Sequence, residues 1–291
     1  LPGKSWGCPM MLWAFPGQPL QWEQYTPDDA DFRAIADLCR TRCGYDMITH
    51  QPVPGRLLSH HTCLQIYGVA MSLYRSRRLR SEGCCPALIA EHSLGIYAAL
   101  AAANSIGEQE ALELVCRIGS SMARMSAAAT YALGCVIGLQ AAPLEEAARS
   151  NGVFVANYNT SRHFLLAGRQ QGIEAALAEC QAAGAFSVSS FPCEAPLHTP
   201  LMAGVAADLA AIVAEYHFAE PQIPLIESLG QTRLTAAAIP AFLVDELQQP
   251  VYWERTWKAV RAAGFNRCME VGSGQALTKF NRWIDSEAGT L

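Results

Sequence analysis

The chain has 291 residues, 51% of them apolar and 16% charged, and its 21 Lys and Arg against 26 Asp and Glu leave a net charge of -5. That length holds one large α/β unit with an inserted piece, and the apolar share suffices for a sizeable core. A mildly acidic chain without a concentrated basic face is not built to grip nucleic acid, and no apolar run reaches membrane-spanning length.

The first nine residues, LPGKSWGCP, lack a signal-peptide pattern and read as a tag, linker or excised flank, with the native start expected at Met10 or Met11. MLWAF at 11–15 predicts a short buried strand stopped by Pro16-Gly17. Residues 28–42 have helical spacing, with Phe32, Ile35, Leu38 and Cys39 on one side. The connection QPVPGR precedes a second apolar helix at about 62–75. The basic run from Arg75 to Arg80 is expected to be a solvated helix end near the negative pole of the helix dipole. CPALIA predicts a strand, Ser93 a turn, and helices follow at 94 to about 103 and at 108–126.

From about 130 the pattern changes. ALGCVIGL, GVFVANYN, HFLLAG and AFSVSSF are strand-like, with the helical stretches AAPLEEAARS and QQGIEAALAECQAAG among them. The order strand, helix, strand, strand, helix, strand is the signature of a split βαβ, ferredoxin-like subdomain. After about 195 long helices are expected to return, with PLIESL and RCMEVG as further strands. The fold class expected is α/β, with a large domain over 10–127 and 194–291 interrupted by a small α+β subdomain over 128–193. The crevice between the two is the expected ligand site. Eleven cysteines, an odd number with no C-x-x-C pair, suggest reduced thiols in a cytoplasmic protein. No histidine pair has metal-ligand spacing on a helix, and no Gly-rich phosphate loop follows a strand.

The stretch ALIAEHSLGIYAAL at 87–100 puts Ser93 between a buried strand and a helix. Such a junction exposes the hydroxyl and aims free helix N–H groups at the place where an oxyanion forms. The usual G-x-S-x-G pattern is only half kept, because Glu91 stands at the first glycine. On these five residues alone, a serine N-cap explains the pattern as well as a nucleophile does. EAPLHTPLM at 194–202 sets His198 before an apolar helix, and FPGQ at 15–18 follows the first strand, which makes a three-part constellation in fixed order. A serine needs a base to take its proton, and a histidine supplies one.

With these segments the chain resembles the malonyl-CoA:acyl-carrier-protein acyltransferase family, in its free-standing and polyketide-synthase forms, over about 10–285. AFPGQP matches the family's strand and P-G-Q-G, EHSLGIYAA its G-H-S-L-G-E-Y-A-A, and LVCRIGSSM its V-x-x-R-G-x-x-M. VANYNTSRHFLLAG matches A-N-x-N with an I-x-G strand, and APLHTPLM matches the histidine segment. ELQQPVYW and EVGSGQAL match Q-L-x-x-P-V-x-W and E-V-G-P-G-x-x-L. The resemblance implies an α/β-hydrolase-like large domain and ping-pong acyl transfer, with Ser93 as nucleophile and His198 as base. It implies an oxyanion hole of the Gln18 and Leu94 amides and a backbone carbonyl, that of Glu246, orienting the histidine. Glu246 stands where the family usually has Gln, and its added charge is expected to raise the basicity of His198.

Arg117 falls by this match on the arginine that binds the free carboxylate of malonyl-type units, the other reading being a surface salt bridge with Glu110 or Glu113. Leu197 falls where family members vary with the acyl unit, and a bulky residue there leans towards malonyl. His92 is implied to contact the acyl group or to be a hydrogen-bonded core histidine. Cys63 falls where the family has the Gln of T-Q-P-A, near the nucleophile, and is placed at the acyl pocket. Glu91 either points out of the turn or sits near that pocket, and Ile96 for the usual Glu is expected to affect packing alone. The substrates implied are malonyl-CoA or a related acyl thioester and an acyl carrier protein, with no permanently bound cofactor or metal. The chain is expected to be a monomer or part of a larger synthase. Two other readings stay open: a hydrolase that clears acyl groups from carrier proteins, and a non-catalytic docking module.

Overall fold

The computed structural model describes residues 10–127 and 129–289, so the tag-like segment 1–9 lies outside the described residues. In chain order the first part contains β1 (Met11–Phe15), α1 (Ala30–Leu38), the two-residue strands β2 (Tyr45–Asp46) and β3 (Gln51–Pro52), α2 (His60–Ser81), β4 (Leu88–Glu91), α3 (Gly95–Ala102) and α4 (Glu108–Ala123). A second group follows: β5 (Tyr131–Ile137), α5 (Ala141–Ser150), β6 (Phe154–Thr160), β7 (His163–Arg169), α6 (Gln170–Ala182) and β8 (Ser187–Cys193). The chain ends with α7 (Ala206–Val213), β9 (Leu225–Ile226), α8 (Ile239–Asp245), α9 (Trp253–Ala262), β10 (Arg267–Glu270) and α10 (Ala276–Glu287).

Four of these strands form a parallel sheet in the order β10-β1-β4-β9. Side chains alternate between its faces. Trp13, Phe15 and Ile89 enter the main core with α2, α3 and α4, while Leu12, Ala14, Leu88 and Ala90 meet Trp253 and Trp257 of α9 and Leu277 and Ile284 of α10. Both faces are covered, which is why MLWAF reads as an unbroken apolar run rather than an alternating one.

Helix α2 starts where Ser59 accepts from the Thr62 N–H and runs on to Ser81, past the expected end at 75, because the basic run continues the helix. Arg78 and Arg80 lie exposed in the last turn as expected, whereas Arg75 and Arg77 are half-buried in ion pairs. Arg75 pairs with Glu23 at 2.7 Å and donates to the Gly272 carbonyl, and Arg77 pairs with Glu108. Arg80 donates to the Ala102 carbonyl with its guanidinium over the Trp13 ring. Long stems let these heads reach carbonyls and carboxylates of Glu23, Ala102, Glu108 and Gly272.

The second sheet is antiparallel, in the order β6-β7-β5-β8. Helices α5 and α6 cover one face, where Leu144, Ile173 and Leu177 pack on Val136, Phe164 and Leu166. Across the other face, Leu133 of β5 and Phe191 and Cys193 of β8 line a cavity together with residues of α2. Strand β6 is tied to the segment before α9 by the Tyr158 N–H to the Val251 carbonyl at 2.8 Å and by the Val251 N–H to the Ala156 carbonyl at 2.9 Å.

The long helices expected after 195 do not form: α7, α8, α9 and α10 have 8, 7, 10 and 12 residues. Pro221, Pro224, Pro240 and Pro250 punctuate this stretch, and each removes a donor that a continuous helix needs. All described cysteines are free thiols. No helix among the described residues is long and apolar enough to cross a membrane.

Candidate active site

The end of β4 delivers Ser93 to a tight elbow. The His92 N–H donates to the Phe15 carbonyl at 3.0 Å, and Ser93 adopts φ 56, a left-handed backbone that a non-glycine residue enters at a cost. Helix α3 then starts at Gly95, packed so closely on β1 that a Cβ there would run into the Phe15 carbonyl. This explains why the second glycine of the elbow is kept. Glu91 stands at the first, with its carboxyl buried against the Ser228 N–H.

His198 arrives from the segment before a short 3-10 turn, also with positive φ, at 60. Its N–H donates to the Leu247 carbonyl at 2.8 Å, its Nδ1 lies 2.8 Å from the Glu246 carbonyl, and its Nε2 lies 2.6 Å from Ser93 Oγ. A carbonyl only accepts, so Nδ1 carries the hydrogen and Nε2 presents its lone pair to the serine hydroxyl. Burial pushes the His198 pKa down to about 4, so the imidazole is neutral near pH 7 and free to take a proton. The chain thus brings together two residues 105 positions apart. Gln18 and Leu94 flank the same spot, and among the described residues neither backbone N–H donates to another group. Two free amides beside an activated hydroxyl can stabilise an oxyanion, and losing one such donor typically costs ~2.7–4 kcal/mol in the barrier.

A small inner pocket of about 30 Å³ adjoins Ser93 and is lined by Val115, Ile118, Met122 and Leu197 among others. It shares Gln18, Gln65, Met122 and Leu197 with a wider cleft of about 540 Å³ between α2 and β8. Leu197 therefore stands where the sequence put it.

Arg117 does not. Its guanidinium makes a two-pronged pair with Glu215, at 2.6 and 2.9 Å, and reaches the Tyr216 hydroxyl at 3.3 Å, and it lines neither cavity. The partner is neither Glu110 nor Glu113. On α4 the residues facing the inner pocket are Val115, Ile118 and Met122, at helical spacing, and one step along a helix turns a side chain by about 100°. The motif V-x-x-R-G-x-x-M, counted from Val115, Gly119 and Met122, sets Ile118 rather than Arg117 at the arginine. That spacing was the signal available in the sequence. Arg117→Ala is accordingly expected to leave the rate of Ser93 acylation within about threefold, and to lower stability by no more than ~1 kcal/mol, since the pair is largely solvated. Steady-state kinetics and a melting curve check this.

His92 and Cys63 are also not at the pocket. His92 Nε2 meets Asn159 Oδ1 at 2.9 Å, and its ring stands edge-on to Trp253. It is a buried core histidine one layer behind the elbow. Cys63 is 3% exposed, and burial lifts its thiol to about 11. It sits on the core side of α2, and Gln65, about 200° further round the helix, faces the cavities instead. Gln65 was missed because a lone glutamine in an apolar helix carries no motif.

Glu91 is completely buried, and its Oε1 accepts from the Ser228 N–H at 2.7 Å. Burial raises its pKa to about 8, opposed by the Ser228 hydrogen bonds and reinforced by Glu227. Burial, with Glu91 and Glu227 nearby, likewise lifts the Glu246 carboxyl well above the usual range. That shift works against a charge on Glu246 behind His198, and the contact the ring makes is with the Glu246 carbonyl. An acid whose folded pKa is raised binds more protons when folded, so its stability contribution is full below pH 4.5 and is lost as pH rises towards 8. The melting temperature should fall by roughly 5 °C or more between pH 5 and pH 9, and Glu91→Gln should flatten that slope. A slope unchanged by the substitution would contradict this assignment.

The model of the acyl transferase domain family matches residues 45–279. The chain is 31% identical over 282 residues to the malonyl CoA-acyl carrier protein transacylase of Escherichia coli strain K12, covering 93% of this chain and 91% of that protein. Its fold is similar to the solved malonyl CoA-acyl carrier protein transacylase of Coxiella burnetii, with TM-score 0.87, 26% identity, and 96% and 92% of the two chains covered. It is also similar to a malonyl-transacylase solved in complex with its type II polyketide synthase acyl-carrier protein, with TM-score 0.86, 27% identity, and 95% and 93% covered.

Proposed function

Because the chain belongs to the family of acyl transferase domains, we propose that it moves an acyl group of the malonyl type from a coenzyme A or carrier-protein thioester to the phosphopantetheine thiol of an acyl carrier protein. Ser93 is the nucleophile and His198 the base. As the Ser93 oxygen bonds to the thioester carbon, its proton passes to His198 Nε2. The carbon–sulfur bond then breaks and the leaving thiolate takes that proton. The carrier thiol attacks the acyl-Ser93 ester by the same steps in reverse. The Gln18 and Leu94 amides hold the oxyanion, and the Glu246 carbonyl keeps His198 in its working tautomer. The reaction so written needs no bound cofactor or metal.

The observation that carries this reading is the 2.6 Å contact between Ser93 Oγ and His198 Nε2, backed by the Glu246 carbonyl on the far side of the ring. We read the architecture as an α/β-hydrolase-like domain over 10–127 and 194–291 with a ferredoxin-like subdomain over 128–193. The strand order β6-β7-β5-β8 with two helices on one face supports that division. A cytoplasmic monomer, or a domain of a larger synthase, is the setting that fits free thiols and a carrier-protein partner.

A hydrolase with water as acceptor is the second reading, because the same Ser93–His198 pair would serve it and no cation at Ile118 restricts the acyl group to a carboxylate. Incubation with malonyl-CoA and a phosphopantetheinylated carrier protein separates the two. Acyl-carrier protein as product supports transfer, and free acid alone supports hydrolysis.

A further inference from the structure

Gln65 is 6% exposed, and its Oε1 is buried without a hydrogen-bond partner. Among the described residues the side chain makes no hydrogen bond at all. Buried carboxamides are normally satisfied, so an orphan oxygen that also borders a cavity has bonding capacity left for what enters the cavity. The fold makes room for it: Gly119 lies against the Gln65 oxygen, and a Cβ at 119 would run into it. Gln65 also lines both the inner pocket beside Ser93 and the outer cleft. The inner pocket is small, at about 30 Å³, and shares Gln65 with the wider cleft. The way from Ser93 to the cleft therefore passes Gln65, and an acyl chain of four carbons on Ser93 can reach it.

The neighbours of that path are Val115, Ile118, Met122 and Leu197, and neither cavity is lined by a lysine or arginine. Glu246 lines the inner pocket, and burial with Glu91 and Glu227 nearby raises its carboxyl well above the usual carboxylate range. Two uncharged donor–acceptor side chains, Gln18 and Gln65, line both cavities, and Gln65 is the buried one whose oxygen is unpartnered.

We propose that Gln65 determines acyl specificity by hydrogen-bonding the far end of the acyl group, and that the site accepts acyl groups carrying an uncharged hydroxyl or carbonyl beyond the thioester carbon, beside units of the malonyl type. The inference rests on the acyl-Ser93 reading given above. A carboxamide donates from one end and accepts at the other, and it can turn over, so it matches a hydroxyl in either sense.

The test is the rate of Ser93 loading, followed by intact-protein mass, with 3-hydroxybutyryl-CoA, butyryl-CoA and malonyl-CoA. The unaltered protein should load 3-hydroxybutyryl about tenfold faster than butyryl. Gln65→Leu should bring that ratio to about one without lowering the melting temperature, and Gln65→Met, unbranched and of similar length, should do the same if the leucine variant folds poorly. A ratio near one in the unaltered protein, or a ratio that survives both substitutions, overturns the proposal and leaves the acyl-enzyme reading standing. No adduct on Ser93 with any thioester overturns both.

Discussion

Replacing Ser93 with alanine should remove the acyl-enzyme and lower acyl transfer by about 10⁴-fold or more, with the melting temperature within a few degrees of the unaltered protein. His198→Ala should cost about as much, and the double variant little more than either alone, because the two act as one device: the 2.6 Å hydrogen bond is the path of the proton. The residual rate would come from the Gln18 and Leu94 amides and from binding. Single-turnover assays with a thioester and a carrier protein measure all three variants. Costs that add across the pair would mean that the hydroxyl and the imidazole work separately.

Gly95→Ala is the substitution with the next largest expected effect. It adds one methyl group, and that methyl meets the Phe15 backbone rather than a side chain that can swing aside. Phe15 belongs to β1, which is held between β10 and β4 and fully buried, so the sheet cannot yield. Helix α3 must move off the sheet, at a cost of about 3 kcal/mol. Because Ser93 and Leu94 immediately precede that helix, the hydroxyl and an oxyanion amide move with it. A displacement near 1 Å at a reacting atom is enough for about 10²-fold in rate. Melting curves and acyl loading together check this, and a variant that keeps both values would show that the close approach matters little.

How far the sequence could be read depended on how many residues share each signal. The parallel strand at MLWAF and the elbow at Ser93 were legible because a buried run, a turn and a helix follow in a few residues. The antiparallel sheet was legible because four short strands alternate with two well-marked helices. The region after 195 was not, because its apolar content suggested long helices while its prolines decide their length. At the site, Ser93, His198, Gln18, Leu94, Leu197 and the Glu246 carbonyl stood in motifs that fix their register. Arg117 misled because it is one residue away from the position facing the pocket, and on a helix one residue is a different face. Cys63 misled in the same way, two residues from Gln65. The charge state of Glu246 was out of reach from sequence, because it depends on burial beside Glu91 and Glu227.

The account turns on where the acyl group sits between donor and acceptor. A brief pulse with an acyl thioester, followed by peptide mapping with tandem mass spectrometry, locates it. The added mass should fall on the peptide carrying Ser93, be absent in Ser93→Ala, and move to the carrier-protein thiol on a chase. Mass on any other residue, or transfer to the carrier protein with Ser93 never labelled, would contradict the account.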